Sequence, residues 1–489
     1  MERFVSSSDY LNHPIKNAPE KSTGNKIVFS KDLREIFDLV GIKDGMTISF
    51  HHHLRNGDYV QNMVSEEILK RNIKNLHYAP SAIFPSNEIL AKLIENENVV
   101  DIDCNYLNGP VADVIGKGKL KGKLFMNTHG GRPLKVETGR LPIDVAFLAC
   151  PTVDKKGNGY GGIGKSACGS LGYAICDLKH AKKVVLVTDN LVEKLDKVEL
   201  EAKYVDYVLV VDSIGDQKGI VSGTTKITKD PVGLKIARMT AKLLDELGLI
   251  KDGVSMQTGA GGTSLAVASY VRDLMIKKGV KGSFASGGIT SYFVNMQKEG
   301  LLEDLYDVQC FDIDAVNSYN ENPHHHGMSG SEYANPYANP IVDKLDFVIL
   351  GATEIDTKFN VNVTTDSHGR IMGGSGGHSD TAHGAKVTVI TTNLIKSRMP
   401  IIKEHVTTIT TPGEDVDVLV TERGIAINPR RKDLLELLKG SKLPIFKIED
   451  LLKMAHEITG IPKEQERSKE IVGFVEYRDG TIIDNLYKF

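Results

Sequence analysis

Apolar positions along this chain switch repeatedly between two periods. They recur at helical spacing from Leu33 to Val40, Tyr59 to Lys70 and Glu88 to Glu95, while Met46 to Phe50 and Leu76 to Ala79 read as strands. Strands that alternate with helices of roughly ten to fifteen residues predict a parallel sheet with helical crossovers. Two runs, Val184 to Val187 and Val387 to Ile390, are apolar without alternation, as expected of parallel strands covered on both faces. Further on, Gly233 to Leu249, Lys432 to Leu438 and Ile448 to Ile458 read as helices. Val472 to Leu486 reads as a closing hairpin around Asp479-Gly480. Residues 1 to about 28 are polar, with Ser6-Ser7-Ser8, Pro14, Pro19 and Gly24, and predict an arm.

The pattern occurs twice. Ile42-Lys43-Asp44-Gly45-Met46-Thr47 returns as Ile250-Lys251-Asp252-Gly253-Val254-Ser255, and Val100-Asp101-Ile102-Asp103 as Phe311-Asp312-Ile313-Asp314. Asp144 to Leu148 returns as Asp346 to Leu350, His180 to Val187 as His383 to Ile390, and Tyr204 to Val211 in the pattern of Asp415 to Val420. Matches in the same order predict an α/β protein of two similar open parallel-sheet domains, arising from internal duplication. The expected division is an arm at 1–28, a first domain at 29–235, and a second at 236–489 with a helical and hairpin tail. A site between two such domains is the first place to look.

Composition narrows the function classes. Of 489 residues 25% are charged, and the net charge is −3, so nothing marks a nucleic-acid or anionic-membrane partner. The apolar runs are of strand length, and no stretch could span a bilayer. MERFVSSSDY lacks an apolar signal segment, and five cysteines without CxxC spacing fit a reduced, cytosolic protein with buried thiols.

Candidate chemistry lies in the glycine loops and the histidines. Gln257-Thr258-Gly259-Ala260-Gly261-Gly262-Thr263-Ser264 follows a strand and precedes a helix, a place where free N–H groups favour anions. Its spacing is not that of a dinucleotide fingerprint, and a plain tight turn remains an equal reading. Four glycines in Gly373-Gly374-Ser375-Gly376-Gly377 are costly unless something approaches the backbone, and their N–H groups could polarise a thioester carbonyl. Glu354 to Asn362 follows another strand, although Asp356 with Asn360, like Asp154 with Asn158, also suits a turn. His51-His52-His53 with Arg55, His324-His325-His326, and His129 with Arg132 form a pool of donors. Consecutive histidines on a strand point to opposite faces, which argues against a metal site, whereas His, Arg and Asn suit a polycarboxylate. Lys155, Lys156, Lys165 and Arg430-Arg431-Lys432 read as solvated faces.

These residues resemble the CoA-transferase fold over almost the full length. The resemblance rests on Asp144-Val145-Ala146, Asp154 to Asn158, Gln257 to Gly261, Asp346 to Ala352 and Gly373 to Gly377. Within that superfamily, Phe50-His51-His52-His53-Leu54-Arg55-Asn56-Gly57-Asp58-Tyr59-Val60, Asn127 to Pro133 and Gly327 to Ser331 are similar to the alpha subunits of citrate lyase. The resemblance implies exchange of the acetyl group on an acyl carrier protein for citrate, giving citryl carrier protein and acetate. The acyl group would ride on a CoA-like arm, a phosphoribosyl-dephospho-CoA, supplied by the acyl carrier (gamma) subunit. A beta subunit would then cleave the citryl thioester, within an oligomer. No cofactor is implied on this chain itself, and CoA esters would serve as substitutes.

One departure bears on mechanism. Many CoA transferases carry a nucleophilic glutamate in the second strand of the second domain, where this chain reads Ser283-Phe284-Ala285-Ser286-Gly287-Gly288-Ile289. Without a carboxylate there, no glutamyl thioester can form. Direct attack by citrate, through a mixed anhydride, is the expectation. Glu354 is the nearby carboxylate to test as a hidden nucleophile. The resulting candidates are Gly261, Gly262, Gly287, Gly376 and Gly377 for catalysis through N–H groups. Gly259, Gly288, Gly374, Glu354 and Asn360 join them around the CoA-like arm, and His52, His53, Arg55, His129, Arg132, His325 and His326 recognise citrate. A different CoA transferase or thioesterase, a sugar-phosphate isomerase-like protein and a non-catalytic scaffold are the competing readings.

Overall fold

The computed structural model describes residues 17–21, 26–51, 53–221, 227–259, 261–463 and 467–489. Two large sheets organise them. In the first, the strands run in the order Val28–Ser30, Tyr207–Val210, Lys183–Thr188, Val145–Ala149, Thr47–His51, Leu76–Pro80, Val99–Cys104, Leu124–Met126, Ile471–Glu476 and Ile482–Tyr487. In the second, the order is His325–Gly327, Leu302–Cys310, Gly282–Ile289, Val254–Thr258, Phe347–Gly351, Val387–Thr391, Val418–Val420, Ile425–Ile427 and Ile445–Phe446. Numbered within each half from Thr47–His51 or Val254–Thr258, seven strands follow one spatial order, 4-3-2-1-5-6-7, and pair in parallel. The order reverses between strands 1 and 5, and crevices at the carboxyl ends beside such a reversal are where ligands bind in α/β sheets.

The sequence repeats carry equivalent structural work. Asp144 accepts the Thr47 N–H at 2.8 Å and the Lys182 ammonium at 2.7 Å; Asp346 accepts the Ser255 N–H at 2.9 Å and the Lys386 ammonium at 2.7 Å. Each aspartate thereby pins the start of a central strand to its neighbour. Asp154 accepts the Asn158 N–H, and Asp356 the Asn360 N–H, both at 2.9 Å, so these pairs build matching turns. One continuous apolar core includes Phe50 and Phe147 of the first half and Val254 and Leu305 of the second.

The expected helices form at Leu33–Val40, Val60–Arg71, Ile89–Glu95, Pro231–Glu246, Lys432–Leu437 and Ile448–Thr459. The closing hairpin forms too, but it does not finish the second half. Gly473 and Val475 pair in parallel with Leu124 and Met126, so the tail extends the first sheet. Glycine permits the approach, since a Cβ at Gly473 would lie 2.7 Å from the Leu124 carbonyl oxygen. Glu476 then reaches Lys135 at 2.9 Å and Asn127 at 2.5 Å. Of the N-terminal arm, residues 1–16 and 22–25 lie outside the described residues; Ala18 and Lys21 run along the first half, bonded to the Glu137 and Lys179 carbonyls. All five cysteines are buried and free, and among the described residues no helix is long and apolar enough to cross a membrane.

Replacing Asp144 or Asp346 by alanine is expected to cost about 1–3 kcal/mol each. Urea unfolding followed by circular dichroism would read this as an earlier midpoint, and a loss at one position alone would show that the two carboxylates are not equivalent.

Candidate active site at the junction of the two sheets

Four neighbouring strands of the first sheet end side by side. Their carboxyl ends deliver His51, Ser81, Asn105 and the loop from Asn127 to Arg132. With Tyr173 and, from the second half, Gly330, these residues line a small cavity with room for one water-sized group. The second half closes over this end. The His129 N–H donates to the Gly376 carbonyl at 2.8 Å, and the Gly376 N–H to the Asn105 carbonyl at 3.1 Å. Asp380 accepts the Thr128 hydroxyl at 2.9 Å and the Gly130 N–H at 3.0 Å.

Two arginines in the pool have different fates. Arg132 is buried, and its Nη1 and Nη2 donate to the two oxygens of Asp177 at 2.8 Å each, with Nη2 also bonded to the Ala79 carbonyl. His51 places Nε2 2.8 Å from Asp177 Oδ2. Burial pushes the Asp177 carboxyl up, but Arg132 and His51 outweigh it and hold the group ionised. Arg55 has no such partner. It sits in left-handed backbone at φ 54°, with its guanidinium 4.9 Å from the centre of the Phe311 ring and 5.8 Å from that of Phe84. Its Nη1 is buried and has no hydrogen-bond partner among the described residues, and burial lowers its pKa. Phe84 comes from the first half and Phe311 from the second, so this cation lies in the seam.

His53 is buried, stacks on Tyr173 at 6.0 Å and accepts from Gln309 through its carbonyl at 3.5 Å. His129 lies 4.6 Å from Tyr173 and 6.2 Å from Tyr333, ring to ring. Burial pushes its imidazole down to about 3, so it is neutral, and its Nδ1 has no partner among the described residues. His52 lies outside the described residues.

The other candidates disperse. His325 is buried against Asp307 at 3.2 Å and Ser318 at 3.0 Å, whereas His324 and His326 share Asp304 on the outer face, as strand alternation requires. Glu354 is fully buried and bonded to Lys403, Asn362, Ser367 and Thr407. Burial raises its pKa, but Lys403 and these donors outweigh that and lower it. Asn360 spends its side chain on Asp356 and on the Gly413 N–H.

The glycines also divide. Gly287 and Gly288 stand not in a loop but inside the strand Gly282–Ile289, at a bulge. Side chains of Gln257 and Phe311 come within 2.6 Å and 2.1 Å of where their Cβ atoms would be. Gly374 is pressed by the Asn105 carbonyl at 2.2 Å, and Gly377 by the Tyr333 hydroxyl at 2.5 Å. At Gly259 and Gly261 a Cβ would meet nothing closer than 3.6 Å and 3.9 Å, so that loop, leading into the helix Gly262–Lys278, is open; Ala260 lies outside the described residues. His51, Gln257 and Asp380 sit within or beside motifs already noted but were not among the candidates, whereas Asp177, Tyr173 and Tyr333 carry no spacing signal.

Known proteins resemble this chain over most of its length. The family described as "Citrate lyase, alpha subunit (CitF)" matches residues 25–489. The chain belongs to the citrate lyase alpha-subunit family. It is 45% identical over 458 residues to the citrate lyase alpha chain of Haemophilus influenzae, covering 93% of this chain and 92% of that one. To the citrate lyase alpha chain of Escherichia coli it is 42% identical over 471 residues, covering 96% and 92%. A solved structure from Streptococcus mutans, described as an alpha subunit of citrate lyase in complex with citrate, matches with a TM-score of 0.94 at 41% identity, over 100% of this chain and 99% of that one. A malonate decarboxylase alpha subunit from Acinetobacter baumannii shares the fold, with a TM-score of 0.66 at 16% identity over 90% and 86%. Family membership gives the chain a part in citrate cleavage, as a subunit of that enzyme.

The neutral His129 links stability to pH. In the unfolded chain a histidine takes up its proton below about 6.5, whereas the folded His129 resists until about 3. Its contribution is therefore full above pH 6.5 and is lost as pH falls through that window, by up to about 1.4 kcal/mol per unit. His129→Gln is expected to flatten this dependence. Urea midpoints at pH 7 and pH 5 measure it, and an unchanged slope would show that His129 is not held neutral.

Proposed function

We propose that this chain is the transferase subunit of citrate lyase, exchanging acetate for citrate on the thioester of an acyl carrier subunit. The observation that carries the reading is Arg55: a half-buried residue at the seam, held in left-handed backbone, whose buried Nη1 has no hydrogen-bond partner among the described residues and suits an anion. His53 and His129 both lie against Tyr173 and offer further groups for a polycarboxylate. The citrate complex of the Streptococcus mutans relative supports the same substrate. The open backbone of Gly259 and Gly261 at a helix start suits a CoA-like arm.

The strand Gly282–Ile289 carries no carboxylate, and Glu354 is engaged by four side-chain and backbone partners, which supports direct transfer. A citrate carboxylate oxygen adds to the acetyl carbonyl carbon, the C–S bond breaks, and a citric–acetic anhydride and a thiolate result. The thiolate adds to the citryl carbonyl, the anhydride C–O bond breaks, and acetate leaves. Citrate brings its own nucleophile, so the protein contributes position and charge. The carrier and lyase subunits are the partners, within a cytoplasmic oligomer. The matching strand orders and paired aspartates support an origin by internal duplication.

The test is exchange by the purified chain with acetyl-CoA or acetyl-dephospho-CoA and citrate, with hydroxylamine and borohydride trapping. Citryl thioester without an enzyme adduct is expected; an adduct on Glu354 would overturn direct transfer, and exchange with another acid but not citrate would overturn the substrate. Arg55→Ala is expected to weaken citrate binding by about 1.5–3 kcal/mol, roughly 10- to 150-fold. Arg55→Lys should recover only part of this, because a point charge does not reproduce the planar fork. Calorimetric titration with citrate reads both, and full affinity in Arg55→Ala would remove Arg55 from the site.

A further inference from the structure

His51 and Arg132 line the cavity beside the seam, and each keeps one buried, unpartnered polar atom, an acceptor on one and a donor on the other. His51 Nε2 lies 2.8 Å from Asp177 Oδ2, and Asp177 accepts from Arg132 as well. A carboxylate held ionised by a guanidinium can only accept, so Nε2 carries the hydrogen. Burial outweighs Asp177 and lowers the His51 pKa, so the imidazole is neutral and Nδ1 presents a lone pair. That atom is buried with no donor among the described residues. Arg132 Nε, a donor, is also buried without an acceptor among them. Both residues line the cavity, which admits one water-sized group.

A carboxylate cannot satisfy this pair, because it has no hydrogen to give Nδ1. A hydroxyl can: it donates to one atom and accepts from the other. At neutral pH citrate has three carboxylates that accept and a single group that donates, its tertiary hydroxyl.

We infer that His51 and Arg132 read the hydroxyl of the substrate, His51 Nδ1 accepting its hydrogen bond and Arg132 Nε donating to its oxygen. This inference rests on the citrate-transfer reading. It deepens that reading by making the hydroxyl, rather than the three carboxylates alone, the feature selected. Asp177 is the positioning residue that fixes the tautomer of His51 and the orientation of Arg132. Tricarballylate, which is citrate without the hydroxyl, would leave both polar atoms unpaired, and sites built to bond a hydroxyl reject such analogues strongly.

The test compares exchange by the full chain with citrate and with tricarballylate, using acetyl-CoA as donor. The intact protein is expected to favour citrate in kcat/KM by at least about 100-fold. His51→Gln keeps a donor for Asp177 and removes the acceptor at Nδ1, and should cut that ratio by at least about 10-fold. His51→Asn, which places an oxygen near the Nδ1 position, should restore part of it. A fall for both acids in proportion would show that His51 supports the fold or holds a water only, and would overturn the inference. A ratio near one in the intact protein overturns it without any variant, should the substituted chains fail to fold. If citrate is not exchanged at all, the transfer reading falls and this inference with it; exchange of citrate with an unselective site sinks this inference alone.

Discussion

One buried carboxylate holds the two halves in register where the site forms. Asp380 takes the Thr128 hydroxyl and the Gly130 N–H from the first half, and Arg478 Nε lies 3.8 Å away. Burial pushes its pKa up to about 6 against these donors, so the charge is tolerated only while they stay in place. The His129 loop is consequently fixed on both sides, by Asp380 and by the Gly376 carbonyl. That frame sets the tilted ring contacts of His129 with Tyr173 and Tyr333.

The division of labour between the arginines follows from burial and pairing. Arg132 is neutralised by Asp177 and becomes part of the wall, offering direction rather than net charge. Arg55 lies against the rings of Phe84 and Phe311 and has no carboxylate partner among the described residues. A site of this kind would attract an anion at one point and grip it with neutral, directional groups elsewhere. It thereby avoids the desolvation cost of burying several unpaired cations.

Much of the fold was legible in the sequence, because period and repetition are local signals. Leu33–Val40 and Leu76–Pro80 form where the spacing predicts, and the Asp144 and Asp346 repeats land at equivalent strand starts. Of the candidate pool read from sequence, His129 and Arg132 line the cavity and Arg55 lies at the seam, while His325, Glu354 and Asn360 lie elsewhere. The glycines of Gly373 to Gly377 looked reserved for a ligand, yet Gly374 and Gly377 make room for Asn105 and Tyr333 of the chain itself. Sequence cannot separate a glycine that admits a substrate from one that admits a neighbour, since both need the missing Cβ. His51 and Asp177 were missed for a related reason. Their pairing spans the fold, and no spacing along the chain encodes a contact of that reach.

The hairpin makes the chain's path a closed circuit: it begins on the first sheet, builds the second and returns to finish the first. Cutting the link between the halves would therefore not release two independent modules. The later fragment would still carry the outer two strands of the earlier fragment's sheet, together with the arginine that stands beside Asp380. Two such pieces would have to assemble by one-way strand donation, the later fragment completing the earlier one's sheet. The clasp also ties the end of the second half to the edge of the first sheet at Leu124–Met126, beside an apolar core that both halves share.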